Sequence, residues 1–118
     1  MRIVSQDNDL DFPYENIAIS TGFRGDKKEF YIFAHLINCV EMNKMPQKLA
    51  TYSTEGKAQK AMEMLREQYS RLQVVKILAS GTCEHMEKSL SKDEFLECNL
   101  KYREMNIFQF PKDEDAEV

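Results

Sequence analysis

The longest periodic pattern in the chain lies between Tyr52 and Leu72. Ala58, Ala61, Met62, Leu65, Tyr69 and Leu72 recur at three- and four-residue steps. That spacing puts them on one stripe of a long amphipathic helix. Lys57, Lys60, Glu63, Arg66, Glu67 and Arg71 fall mainly on the opposite side and mix their signs. Ser53 is the natural N-cap, and Glu55 suits the positive end of the helix. Gly56 stands where a capping box wants Glu, which softens the first turn by roughly 0.5–1 kcal/mol. Small Ala58 and Ala61 let the first turns lie close to a sheet. Bulkier Met62, Leu65 and Tyr69 fill the space further along.

Before this helix the chain reads as sheet. Arg2–Ser5 is a short strand, and Gln6–Asp11 is a polar turn. Pro13–Ser20 alternates with period two, with Ile17 and Ile19 on one face. Thr21–Lys28 carries Gly22 and Gly25 and reads as a loop. Glu29–Val40 is the strongest strand: Phe30, Ile32, Ala34 and Leu36 point one way, and Tyr31, Phe33, His35 and Ile37 the other. Apolar residues on both faces predict a central strand or one that meets another chain. Glu41–Gln47 is a connection, and Lys48–Tyr52 is a strand leading into the helix.

After Leu72, residues Val74, Val75, Ile77 and Leu78 prolong the helical pattern, with Gly81 as its expected stop. Thr82–Leu90 reads as a separate short helix. Ser91-Lys92-Asp93-Glu94 is a capping box that opens another, with Phe95, Cys98, Tyr102 and Met105 as its stripe. Asn106–Phe110 returns to a strand ended by Pro111. The expected fold is α+β. An antiparallel sheet from residues 1–52 plus the C-terminal strand 106–110 is packed by one long helix and a helical insertion. Residues 1–111 form a single domain, and 112–118 are a loose acidic tail.

One long helix covers one face of a small sheet. The other face needs cover from the 82–105 insertion or from a second subunit, so a homodimer or higher homo-oligomer is expected. The net charge of −4 argues against broad binding to a nucleic-acid backbone, which needs a basic face. No apolar run approaches the roughly 20 residues of a membrane span. The first residues lack a signal-peptide core. Cys39, Cys83 and Cys98 are odd in number and show no ligand spacing. Free thiols and a cytoplasmic setting are the expectation.

The chain carries no nucleophile elbow, P-loop or dinucleotide fingerprint. His35, between Ala34 and Leu36, reads better as a structural or surface histidine than as a catalytic one. Cys83 and His85 are poorly spaced for a metal on a helix. Asp7, Asp9 and Asp11 alternate like a calcium loop but lack its glycine and terminal glutamate, so a solvated turn is the better reading. Arg24-Gly25-Asp26 is a chance tripeptide. No catalytic set, metal or cofactor is expected. Phe23 beside Arg24, followed by Lys27 and Lys28, is a pairing suited to a base and a phosphate. Asn99, Lys101, Arg103 and Asn106 leading into Phe108 form a second grouping. Both also fit an ordinary solvated loop and helix end.

Residues 1–7 (Met-Arg-Ile-Val-Ser-Gln-Asp), Pro13-Tyr14-Glu15, Tyr52–Tyr69 and Phe108–Pro111 followed by acids together resemble a family of small proteins. These are carried by phages and prophages of Gram-positive bacteria, most of them without an assigned activity. That family usually has Glu at the position of Gly56, and its middle varies widely. The resemblance implies a constant scaffold with a variable insert, residues 73–105 here, where a partner or ligand would bind. It further implies an anti-defence role in an infected bacterial host. One form is a sponge for a cyclic nucleotide of the cyclic ADP-ribose type, similar to anti-Thoeris proteins, binding without cleaving. The alternative is an anti-CRISPR-type inhibitor that binds a host effector directly. A phage structural or regulatory part is a third class. For the sponge, Phe23 would stack, Arg24 and Arg103 would hold phosphates, and Asn99 or Asn106 would read polar edges.

Overall fold

The computed structural model describes residues 1–26, 28–37, 46–89 and 92–116, with 77–89, 92, 95, 98 and 99 described by backbone alone. The strands are β1 (Arg2–Val4), β2 (Asp11–Pro13), β3 (Ile17–Arg24), β4 (Glu29–Leu36), β5 (Gln47–Tyr52) and β6 (Ile107–Gln109). The helices are α1 (Glu55–Ser89) and α2 (Lys92–Met105). The α+β class expected from the patterning is what the chain adopts. Its strands divide into two three-stranded sheets, ordered β2-β1-β6 and β3-β4-β5. The C-terminal strand β6 runs parallel to β1 instead of joining one antiparallel sheet.

The α1 stripe does what its spacing predicts. Ala58, Ala61, Leu65 and Leu72 are buried, Met62 packs against the core, and the Tyr69 ring meets that of Tyr14 in a tilted contact at 4.5 Å. Opposite them lie Ile32, Ala34, Leu49, Ala50 and Tyr52 of one sheet and Ile3 and Phe108 of the other. A bulge in β5 sets this up. Ile32 pairs with Ala50 and Phe33 with Lys48, so Leu49 is the extra residue. Leu49 and Ala50 both turn inward, which an unbroken strand forbids. The Leu49 carbonyl is then free to accept the Gln6 N–H at 2.8 Å, tying the two sheets together.

Several boundaries differ from the sequence expectation. Helix α1 runs through Gly81 to Ser89, so Gly81 is not a stop and Thr82–Ser89 is not a separate helix. The α2 start agrees with the capping-box reading, although Ser91 lies outside the described residues. So do the side chains of Phe95 and Cys98. All three cysteines fall outside too: Cys39 entirely, Cys83 and Cys98 by side chain. Thr54, not Ser53, caps α1, its Oγ1 accepting the Lys57 N–H at 3.2 Å. Ser53 instead donates from N–H and Oγ to the Asp113 carboxylate, at 2.7 and 3.0 Å.

That contact corrects the expectation of a loose tail. Phe110 and Ala116 are fully buried, and Asp113 also holds Lys57 Nζ at 2.9 Å. The Pro111 carbonyl accepts from Tyr52 Oη at 2.7 Å and from Gln6 Nε2 at 3.0 Å. Gln6 also exchanges bonds with both backbone groups of Thr51. So the three segments around Gln6, Tyr52–Lys57 and Phe110–Asp113 meet in one polar clasp.

The clasp has a pH signature. The Ser53 N–H, then Lys57, hold the Asp113 carboxyl below its ordinary value of 3.8, against a smaller opposing effect of burial. A depressed carboxyl adds stability above its unfolded value and loses it as pH falls through the folded one. Asp113→Asn is therefore expected to lower the melting temperature at pH 7 by about 3–5 °C, for a half-exposed pair contributing under about 1 kcal/mol. The gap to wild type should close below pH ~3.8. Melts by circular dichroism at pH 7 and pH 3 check this; an equal gap at both would show that the charge of Asp113 adds nothing.

Candidate functional site

The β3-β4-β5 sheet buries one face against α1 and leaves the other open. Directly paired residues share a face. Gly22, Tyr31 and Thr51 are therefore neighbours on the open face, as are Ser20, Phe33 and Lys48, and Arg24 and Glu29. All of these but Ser20, together with Phe23, line a shallow depression of about 580 Å³. Gly22 is there for space: a Cβ would come within 2.7 Å of the Phe33 ring edge. The missing side chain lets that ring lie down on β3. Tyr31 and Phe33 are 5.7 Å apart, and the Lys48 ammonium sits 5.4 Å from the Tyr31 centroid.

The polar groups here are held lightly. Tyr31 Oη donates to the Glu29 carboxylate, and that bond is the main cause that raises the Tyr31 pKa above its ordinary value. Arg24 pairs with Asp26 at 3.2 Å, both more than half exposed. An exposed pair of this kind contributes about 0–1 kcal/mol, so a phosphate can displace it. Phe33 is half-buried and Tyr31 is buried, 9 % exposed, with Lys48 over its ring. With Lys48 moved aside, two aromatic rings, two cations and a carboxylate on one face can stack a planar group and hold an anion beside it.

The five residues expected to bind a ligand do not all share this face. Thr21–Arg24 belongs to β3 rather than to a loop. Strand alternation sends Phe23 and Arg24 to opposite sides. Phe23 lies on the α1 side, stacked on Phe30 at 4.6 Å and close to Glu55, Ala58 and Gln59. Arg103 and Asn106 are elsewhere, at the end of α2. Asn106 caps that helix, its N–H and Nδ2 both donating to the Tyr102 carbonyl. Gln68 donates to the Met105 and Ile107 carbonyls, fixing this end against α1. Gln59 and Gln68 are nine residues apart on α1, roughly 14 Å along its axis. So one copy does not bring Phe23 together with Arg103 or Asn106. The Asn99 side chain lies outside the described residues.

Sequence reasoning did not single out Tyr31, Phe33, Lys48 or Gly22 as a site. The signal was present in the alternation of β4, which puts Tyr31 and Phe33 on the face away from the core. The glycine signal, read as a loop, marks a close approach of ring to strand.

A second cleft of about 550 Å³ lies between α1 and α2, lined by Met64, Glu67, Gln68, Arg71, Lys101 and Phe108 among others. Val74, Leu96, Leu100 and Ile107 nearby in the same elements are more than half exposed. His35 pairs with Ser20 Oγ at 2.9 Å. Asp7 is occupied by Ser5 Oγ and the Asp9 N–H, as befits a turn, and Asp11, the first residue of β2, by Arg2. Among the described residues no group of three or more His, Cys, Asp or Glu could hold a metal ion. No helix among them is long and apolar enough to cross a membrane. Compared with protein-family models, curated proteins and solved structures, the chain matches none.

Proposed function

We propose that the protein is a phage-encoded anti-defence protein that captures a small nucleotide signal of the cyclic ADP-ribose type and holds it without cleaving it. The observation that carries this reading is the grouping of Tyr31, Phe33, Arg24 and Lys48 around Gly22 on the open sheet face. In the bound state Lys48 swings off the Tyr31 ring to a phosphate, and the ring it uncovers receives the base. Arg24 leaves Asp26 for a second phosphate oxygen. Aromatic stacking contributes about 1–3 kcal/mol per base, and a sponge that outcompetes a receptor needs about 12 kcal/mol. The cations must therefore supply a large share.

The test is depletion and release. The protein is incubated with cyclic ADP-ribose isomers and filtered, and the retained fraction is heat-denatured. Loss of the nucleotide from the filtrate and its intact return on heating is the expected result. Degraded nucleotide would mean an enzyme, and unretained nucleotide would remove the sponge reading.

One observation favours the other anti-defence reading, direct inhibition of a host effector. Exposed Val74, Leu96, Leu100 and Ile107 beside the α1–α2 cleft are the kind of surface that docks a protein. Co-purification of a defence nuclease, with nucleotides unbound, would put this reading in place of the first.

A further inference from the structure

Strand β3 pairs only with β4, so among the described residues its second edge has no backbone partner. Which groups face that edge follows from one bond. The Ile37 N–H donates to the Asn16 carbonyl at 3.1 Å, in the same register as Ile17 with Leu36. Pairs in an antiparallel ladder alternate between hydrogen-bonded and not. Asn16, Ala18, Ser20, Gly22 and Arg24 are therefore bonded to β4. Ile17, Ile19, Thr21 and Phe23 send their N–H and C=O groups outward.

Exposed edges are commonly blunted by Lys, Pro, a bulge or shortness. β3 has none of these: it is eight residues long, runs unbroken against β4, and carries no charge from Ile17 to Phe23. We propose that this edge is the docking surface for a second copy of the chain, β3 against β3 antiparallel about a two-fold axis at Ser20. This inference does not rest on the ligand reading.

Several features select a second copy in this register. An antiparallel pair of identical strands is self-complementary under a two-fold axis. Centring on Ser20 sets Ile17 opposite Phe23 and Ile19 opposite Thr21, the one register that uses all four outward residues of each strand. It also places Phe23, 60 % exposed, against Ile17 of the other copy. At the strand ends Arg24, paired with Asp26, comes opposite Asn16, next to Glu15, which holds the Met1 ammonium, so opposite charges, each with a partner of its own, come near at the seam's ends. A chain of net charge −4 joins its own copy best through a neutral strand. The result is one six-stranded sheet, with both aromatic–basic surfaces on the same face.

Light scattering of the wild-type chain at tens of micromolar should give twice 13.8 kDa. Thr21→Pro removes an outward N–H and no bond to β4, so it should weaken self-association at least tenfold while the circular dichroism spectrum is kept. A disulfide test fixes the register. Across the axis the two Ser20 residues form a non-bonded pair, with Cα atoms ~4.5 Å apart, within disulfide reach. With Cys39, Cys83 and Cys98 changed to Ser, Ser20→Cys should cross-link on mild oxidation, and Ala18→Cys, which faces Gly22, should not. A wild-type monomer, an oligomer indifferent to Thr21→Pro, or cross-linking of Ala18→Cys in place of Ser20→Cys would each overturn the proposal.

Discussion

Leu65→Asp is expected to leave the chain without a cooperative thermal transition. Leu65 is 1 % exposed and sits at the middle of the α1 stripe, between Ala61 and Leu72, over the joint core of both sheets. Truncation to Ala alone would remove about 2–5 kcal/mol by lost transfer energy and a cavity. A carboxylate there adds the cost of burying a charge, and no cation lies among the core residues. A domain of this size has about 5–15 kcal/mol in total, so the charge consumes most or all of it. Glu63→Ala, two residues away on the exposed face, should change stability by less than ~0.5 kcal/mol. Paired melts followed at 222 nm check both. A Leu65→Asp variant that melts like wild type would mean that α1 is rotated on the sheet.

The contrast between those positions was legible because a helix declares its buried face locally. Ala58, Ala61, Leu65 and Leu72 need only their own spacing to be placed. The β4 alternation was legible for the same reason. What was not legible depends on partners far along the chain. Lys112–Ala116 looks like an acidic tail until Ser53 and Lys57, nearly sixty residues earlier, are seen to hold Asp113. Thr21–Arg24 looks like a loop because Gly22 lies within it and Gly25 follows it, and only the ladder with β4 makes it a strand. The second sheet rests on the parallel return of β6 to β1, and its tie to the first on a bulge at Leu49; neither leaves a local mark. Gly81 carries a stop signal that the helix overrides, since one glycine costs about 1 kcal/mol within a helix, a penalty its neighbours can offset.

The same division explains the candidate site. The segments around Gln6, Tyr52–Lys57 and Phe110–Asp113 converge on the clasp. They are occupied by one another. Residues engaged with one another in this way hold the scaffold, so groups free to bind a ligand have to be found elsewhere on it. Phe23-Arg24 was a sound pairing in sequence and is divided in space by strand alternation. Arg24 faces the open side, where it meets Tyr31, Phe33 and Lys48, and Phe23 reaches the same depression while stacking on Phe30.

If that face is the nucleotide site, Arg24→Ala and Lys48→Ala should each weaken capture roughly 10- to 100-fold, and the double variant should abolish it. A charge-assisted hydrogen bond to phosphate contributes about 1.5–3 kcal/mol, and each 1.4 kcal/mol is tenfold in affinity. Neither substitution disturbs the core, because both side chains are solvent-facing and their own contacts, to Asp26 and to the Tyr31 ring, are weak. Tyr31→Phe keeps the stacking ring and removes only the hydroxyl bonded to Glu29, so it should bind within a few-fold of wild type. Arg103→Ala is the decisive control. It removes a cation from the exposed last turn of α2, beside the contacts that Gln68 makes, and should leave affinity unchanged. Isothermal titration with cyclic ADP-ribose isomers, run on proteins of matched melting temperature, reads all five. Were Arg103→Ala to destroy binding while Arg24→Ala and Lys48→Ala did nothing, the site would move to the cleft between α1 and α2. There Arg71 and Lys101 would be the cations to change next.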